Sequence, residues 1–523
     1  MAQKKKEDVV FPSQITDFNE RIEHALKQIE KDYKKLSLID RYTRGLHTAP
    51  YVPRKANPEF KELVKRAIHN IIPLLVDAPT NALSVEGYRR PDVTGNPAEW
   101  QFWQKNRMDQ RQALVHRTAI ETGQAYVSVA PGLIDPKVPE IRAYHSMKVF
   151  AGYDDPVFDP FPMYALYIES NTYSEKEPTR ARFWDDQMVY DLVLGGKEPQ
   201  IVNKRAHGLG VCPVIRFTPK MDLNGRVTGM VEGIIRYQDK LNQMYLSLLI
   251  AQHYTGFAIR TATGLAPVER VDENGMPILD ADGQPTFVPP VLDPSTMLVS
   301  PSPDTQFGQL PAAPTGDFLE AIELTVRHMC AVTETPPHYL LSGKLANLSA
   351  DALAAAESAF QRKIDEIRNS FGESWELVLR LCALVSGDQT GYEVEDTQVQ
   401  WADKGNRSLA QAVDAGLKLT QMNVPVDIVL TKIPGFSQQD VDLVRERLGE
   451  ALLSPQGQAE GSKPKLSGAD QEQSKPEKNE APAPAPGGKP KAPTGPGSRK
   501  GATGPGRTPR APKGKVKANE PTA

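Results

Sequence analysis

Apolar residues recur along this chain at two different spacings, and the switches between them divide the sequence into modules. Ile15, Phe18, Ile22, Leu26, Ile29, Tyr33 and Leu36 follow steps of three and four. They therefore share one face of a helix, which Gly45 ends. A helical stretch is predicted onward to about Ile120, broken at Pro73, Pro79 and Pro91. From Ala125 to Phe217 the texture changes to short alternating runs such as Tyr126-Val-Ser-Val129, Tyr164-Ala-Leu-Tyr-Ile168 and Gln187-Met-Val-Tyr-Asp-Leu-Val193. Pro and Gly bound these runs, which predicts a β-rich module.

Helical spacing then returns. Met230, Ile234, Tyr237, Leu241, Met244 and Leu248 lie on one face of a helix predicted from about Gly229 to His253. A second helix is predicted to open at Asp317, with Glu320 completing a capping box and Leu319, Ile322, Val326 and Met329 on one side. Pro336 and Pro337 stop it. Between the two, Asp272-Glu-Asn-Gly275 and Asp280-Ala-Asp-Gly283 supply the turns of a small β-meander built from Val268–Val271, Met276–Leu279 and Thr286–Val288. The second aspartate pair lacks the closing Glu of a calcium loop, so a turn is expected. A much longer helix starts near Ser349 and carries Phe360, Ile364, Ile367, Phe371, Trp375, Val378, Cys382 and Val385. This arrangement reads as a stalk that leaves the main body and returns to it. A strand-like Thr397-Gln-Val-Gln-Trp401 leads to final helices over Leu409–Met422 and Ser437–Leu453. Beyond Ser454 large apolar residues almost vanish, and that segment is expected to be disordered.

At 523 residues the chain is long enough for more than one core. No apolar run approaches the roughly 20 residues that cross a bilayer, and Met1-Ala-Gln-Lys-Lys-Lys-Glu lacks the apolar core of a signal peptide. A soluble intracellular protein is the expectation. Cys212, Cys330 and Cys382 are odd in number and sit among apolar neighbours, as buried thiols do. Catalytic motifs are missing. Ser342-Gly343-Lys344 lacks both the first Gly and the magnesium-binding hydroxyl of a phosphate loop. His328 and Cys330, two apart on one helix, point away from each other. Asp154, Asp155 and Asp159 are acidic loop residues without further ligands to make a metal site. No catalytic residue, cofactor or metal is expected.

Several segments together resemble the portal proteins of tailed bacteriophages, in the branch found in siphophages of Gram-positive and actinobacterial hosts. They are Asp40-Arg-Tyr-Thr-Arg-Gly45, Asn70-Ile-Ile-Pro-Leu-Leu-Val-Asp77, Leu83-Ser-Val-Glu-Gly87, Trp103 to Asp109 and Thr122-Gly-Gln-Ala-Tyr-Val127. Cys212-Pro-Val-Ile215, Asp239-Lys-Leu-Asn242, Thr335-Pro-Pro-His-Tyr339, Asn347-Leu-Ser-Ala-Asp-Ala-Leu353, Ala355-Ala-Glu-Ser358 and Asp414-Ala-Gly-Leu-Lys418 follow in order. Their collinearity from about residue 15 to residue 450 carries the resemblance.

The resemblance implies an α+β subunit. Residues 1–228 would form an α/β wing, 229–254 the first stem helix, 255–316 a clip and 317–335 the second stem helix. Residues 336–348 would be a tunnel loop, 349–404 a long wing helix and strand, 405–453 a helical crown and 454–523 a disordered basic tail. It further implies a ring, a dodecamer in the virion, at the unique capsid vertex, assembled in the host cytoplasm. The implied partners are other copies of the chain, the major capsid protein, scaffolding protein, the large subunit of terminase, and head-completion and tail proteins. Double-stranded DNA would be contacted without sequence preference, Lys344 and Asn347 lining the tunnel, and no membrane is involved. Charge adds one detail: residues 481–523 are strongly basic while the chain as a whole is at −3, so the remainder is acidic. That sign suits a tunnel through which DNA slides and equally suits ordinary solubility charge.

Overall fold

The computed structural model describes residues 11–53, 58–93, 95–170, 178–196, 198–256, 260–263, 268–280, 283–288, 306–309, 315–341, 350–402, 409–430, 433, 440–441 and 443–447. Helix α1 (Phe18–Thr43) is capped by Asp17, whose carboxylate accepts from the N–H groups of Asn19 and Glu20. It ends before Gly45, which adopts φ +79°. Helices α2 (Pro58–Arg66) and α3 (Ile72–Ala82) follow. Pro73 stands in the first turn of α3, where a missing N–H costs little. Pro79 lies inside the helix and is buried, so the break expected there does not occur. Only the last turn of a helix buried along Ile72, Leu75 and Val76 loses a hydrogen bond. Strand β1 (Val85–Arg89) then interrupts the stretch read as helical, before α4 (Ala98–Lys105) and α5 (Met108–Thr122).

The β-rich module is present as eight strands: β2 (Ala125–Pro131), β3 (Pro139–His145), β4 (Val149–Gly152), β5 (Tyr164–Ile168), β6 (Thr179–Trp184), β7 (Met188–Leu194), β8 (Gln200–Ala206) and β9 (Val214–Phe217). Two antiparallel sheets result, one in the order β3-β2-β9 and the other β4-β5-β6-β7-β8. The first half of α1 lays Ile22, Ala25 and Ile29 on the five-stranded sheet, against Tyr164, Leu166, Phe183 and Leu192. Its second half, with Leu36, Ile39 and Tyr42, joins the main core.

Helix α6 (Met230–Gly256) leads into the insertion, which contributes β10 (Arg260–Thr263), β11 (Val268–Glu269), β12 (Phe287–Val288) and β13 (Gln306–Gln309). β11 pairs with β12, and bridges Val271 to Pro277 and Leu279 to Pro285 complete the expected meander. Gly275 and Gly283 take φ +80° and +75° at its two turns. The β10–β13 pair encloses this meander in sequence and was not foreseen.

The chain returns through α7 (Gly316–Val332). The capping box expected at Asp317 is not made: Thr315 precedes the helix in αR geometry, without a side-chain cap. The helix also ends before the prolines, with Glu334 at φ +52° and the Thr335 N–H bonded to the Cys330 carbonyl at 2.9 Å. Helix α8 (Ala350–Ser386) is the spine of the main core, burying Phe360, Ile364, Ile367, Phe371, Trp375, Val378 and Cys382. It is followed by α9 (Gln389–Glu393), β14 (Gln398–Trp401), α10 (Leu409–Gln421) and α11 (Val426–Leu430). β14 pairs antiparallel with β1. Trp103, Trp375, His116, Phe371 and Phe217 stack around the centre, and the Trp375 indole donates to His116 Nε2 at 2.9 Å. Among the described residues, no helix is long and apolar enough to cross a membrane.

Candidate functional site

The two helices read as a stem, α6 and α7, pack together along Ile234, Leu241 and Leu248 on one side and Ile322, Val326, Met329 and Cys330 on the other. Thr325 reaches across and donates to the Met244 sulfur at 3.4 Å. Leu319, Leu324 and Val332 of α7 stay about half exposed, so apolar surface remains on this helix.

The root of α6 is built differently. Gln238 and Asn242 lie one turn apart among the apolar positions, both fully buried. Gln238 Nε2 donates to the His69 carbonyl at 2.7 Å and to Asn242 Oδ1 at 3.0 Å. Asn242 Oδ1 also accepts from the His69 N–H, and its amide nitrogen meets His47 Nδ1 at 2.9 Å. Next to them the Tyr42 hydroxyl donates to Asp239 at 2.5 Å, and Asn70 donates to the Thr43 carbonyl at 3.0 Å. Burial, then the Asp239 hydrogen bond, pushes the Tyr42 phenol above its ordinary pKa. Burial likewise pushes the His47 imidazole below its usual range. The segments Asp40–Gly45, Asn70–Asp77 and Asp239–Asn242, far apart in sequence, thus meet at one buried polar belt. Sequence reading placed the three segments in the resemblance but missed the belt. The available signal was a Gln and an Asn four apart on an otherwise apolar stripe.

The start of α6 is held just as tightly. Gly229 crosses the end of α5 so closely that a Cβ there would lie 2.3 Å from the Glu121 carbonyl oxygen. Gly123, at φ +95°, faces it from the other side, where a Cβ would lie 2.8 Å from the Gly229 nitrogen.

At the far end of α7 the chain turns toward the residues expected to face DNA. Lys363 of α8 donates to the Thr333 carbonyl, and burial lowers its pKa to about 8. His338 Nε2 stands 3.4 Å from a Glu357 carboxylate oxygen, and the Tyr339 ring packs edge-on against Phe360. The approach to the loop is therefore fastened to α8 at three points. Lys344 and Asn347 themselves, with the Ser342-Gly-Lys run and the Ser349 start of the long helix, lie outside the described residues, as does the tail after Ser454.

Candidate chemistry resolves into structural roles. Asp154 accepts from the Ser13 N–H, Asp155 from the N–H groups of Val157 and Phe158, and Asp159 from the Asp155 N–H, so the acidic loop is tied to its own backbone and to that of Ser13. Asp280 accepts from the Gln284 N–H in a turn. His328 is exposed and Cys330 buried on opposite sides of α7. All three thiols are buried, and burial raises their pKa values. Among the described residues no cluster of His, Cys, Asp and Glu could hold a metal ion.

Comparison with known proteins accounts for the ordered motifs. The portal protein of Mycobacterium phage D29 is 25% identical over 359 residues, which are 66% of this chain and 71% of that protein. The portal protein of Mycobacterium phage L5 is 24% identical over 359 residues with the same coverage. The sequence profile of the SPP1 Gp6-like phage portal proteins matches residues 21–452, from α1 through the helix pair, the insertion and α8 into the final helices. With that span matched, the chain belongs to the phage portal protein family, SPP1 Gp6-like.

Proposed function

We propose that about twelve copies of this chain close into a ring at one vertex of the capsid and form the conduit through which double-stranded DNA enters and leaves. In this reading residues 1–228 with α8 and β14 are the wing, α6 and α7 the stem, residues 255–316 the clip and 405–453 the crown. Residues 336–348 are the tunnel loop, where Lys344 and Asn347 touch DNA phosphates without reading bases. Terminase and the head-completion and tail proteins dock at the clip, while the major capsid protein and scaffolding protein surround the wing. The role is structural and mechanical, with no catalytic step, and its place is the virion.

The observation that carries this reading is the family match from residue 21 to residue 452, which takes in the helix pair and the insertion together. The half-exposed Leu319, Leu324 and Val332 on α7 agree with a helix pair whose outer face is covered by neighbours. Electron microscopy of the purified protein tests it: closed rings with a central hole are expected. A population of monomers or solid particles at micromolar concentration would refute the ring.

A further inference from the structure

Among the described residues outside the insertion, several sheet edges are closed by side chains. Asn106 closes β3, donating to the Pro139 carbonyl and accepting from the Ile141 N–H, both at 2.9 Å. Ser374 and Ser370 of α8 close the β9 side, donating to the carbonyls of Arg216 and Thr218 at 3.0 and 2.6 Å. Gln112 takes both backbone groups of Val85 in β1, and Glu376 accepts from the Val399 N–H in β14. In the five-stranded sheet, Pro12 lies beside β4, where a Cβ added to Gly152 would stand 3.3 Å from the proline ring. Unclosed edges recruit other strands, and these side chains prevent it.

The outer edge of β8 has no such closure among the described residues. All seven of its residues are exposed, including Ile201 and Val202 at 50% and 68%, and it pairs with β7 alone. Its charges are Lys204 and Arg205, the latter in an ion pair with Asp191 of β7 at 3.4 Å, with no acid in the strand itself. A complementary surface lies elsewhere on the same chain. The lead-in to β14, Val394 to Asp396, leaves α9 in extended geometry at the half-buried Val394 and is exposed at Glu395 and Asp396. Glu395 and Asp396 there join Glu373 and Glu376 in lining a cleft of about 420 Å³.

We propose that β8 of one copy takes the acidic lead-in, Val394–Asp396, of a second copy as an added strand. This rests on the ring reading and names one of its contacts. Two different surfaces on each chain are what a head-to-tail ring needs. Pairing β8 with itself would close at two copies and set Lys204 and Arg205 against their own kind. Backbone bonds would supply the attachment, and the opposite charges the register and the choice of partner.

The test uses the full chain carrying Lys204→Cys and Asp396→Cys under mild oxidation. The three native thiols are buried and stay silent. Disulfide-linked ladders at multiples of the chain mass are expected on a denaturing gel. Rings of normal appearance without ladders would overturn this contact while leaving the ring reading intact; a parent chain that forms no rings would overturn both. The variant Lys204→Glu, which alters an exposed side chain and spares the Arg205–Asp191 ion pair, should keep its thermal unfolding yet need about tenfold more protein to assemble. Adding Glu395→Lys and Asp396→Lys should restore assembly, and assembly at the parental concentration in the first variant would overturn the charge match.

Discussion

The root of α6 and the insertion beyond its far end are organised on opposite principles. At the root, Gln238 and Asn242 are fully buried, every hydrogen bond is directional, and two glycines let backbones cross within contact distance. In the insertion every described residue from Glu269 to Asp280 is exposed, and the meander is held by turn aspartates and a few backbone pairs. A buried polar belt fixes one angle for the helix pair, because any other arrangement leaves amides unpaired at low dielectric. A coreless meander fixes little by itself and gains rigidity only from what packs on it. The contrast separates a firmly seated helix root from an insertion held mainly by its own turns.

Three substitutions sharpen or break that contrast. The largest effect is expected from Gly229→Val, because the added carbons meet the Glu121 carbonyl and the Thr122 backbone, neither of which can move aside. Loss of about 3 kcal/mol or more is expected in denaturant unfolding; a parental midpoint would mean that the crossing of α5 and α6 is loose. Asn242→Leu keeps the branching and heavy-atom count but is bulkier and strands the His69 N–H and Gln238, and should cost about 2–4 kcal/mol. A cost under about 1 kcal/mol would demote the belt to ordinary core. The smallest effect belongs to Asp272→Ala, which removes the bonds from the Asn274 and Met276 N–H groups in the first insertion turn. Global stability should stay within about 0.5 kcal/mol of the parent while those two amides exchange faster with deuterium. A fall in global stability comparable to that of Asn242→Leu would show the insertion and the root to be one cooperative unit.

Much of the fold was legible because it is local. Spacing alone places α1, α6 and α8, and their expected apolar faces are the ones the core buries. The Asn-Gly and Asp-Gly pairs place both insertion turns. What escaped depends on residues far away in the chain. β1 is a strand because β14 pairs with it, and nothing near Val85 announces that partner. Pro79 stays helical because the buried side of α3 outweighs one missing hydrogen bond. The capping box at Asp317 was local but wrong, since the helix begins one residue earlier and uses no side-chain cap. The buried belt was half visible: its residues stood in the ordered motifs, but only the meeting of three segments gives them a role. For Lys344 and Asn347, motif order placed the residues in a loop, and the fastened approach through Thr333, His338 and Tyr339 is what the structure adds.

The pairing of β1 with β14 has a consequence for synthesis on the ribosome. Val85 cannot meet Trp401 until more than three hundred further residues have been made, and Arg90 waits nearly as long for its ion pair with Asp388. Trp100, Phe102 and Trp103 must likewise remain without α8 until that helix is translated. The amino-terminal third therefore emerges as an unfinished half-core, open to chaperones and slow to settle, as long-range contacts dictate. Completion of the chain becomes its own checkpoint: a truncated subunit lacks β14, keeps its β1 edge unpaired and does not present a finished face to a growing assembly.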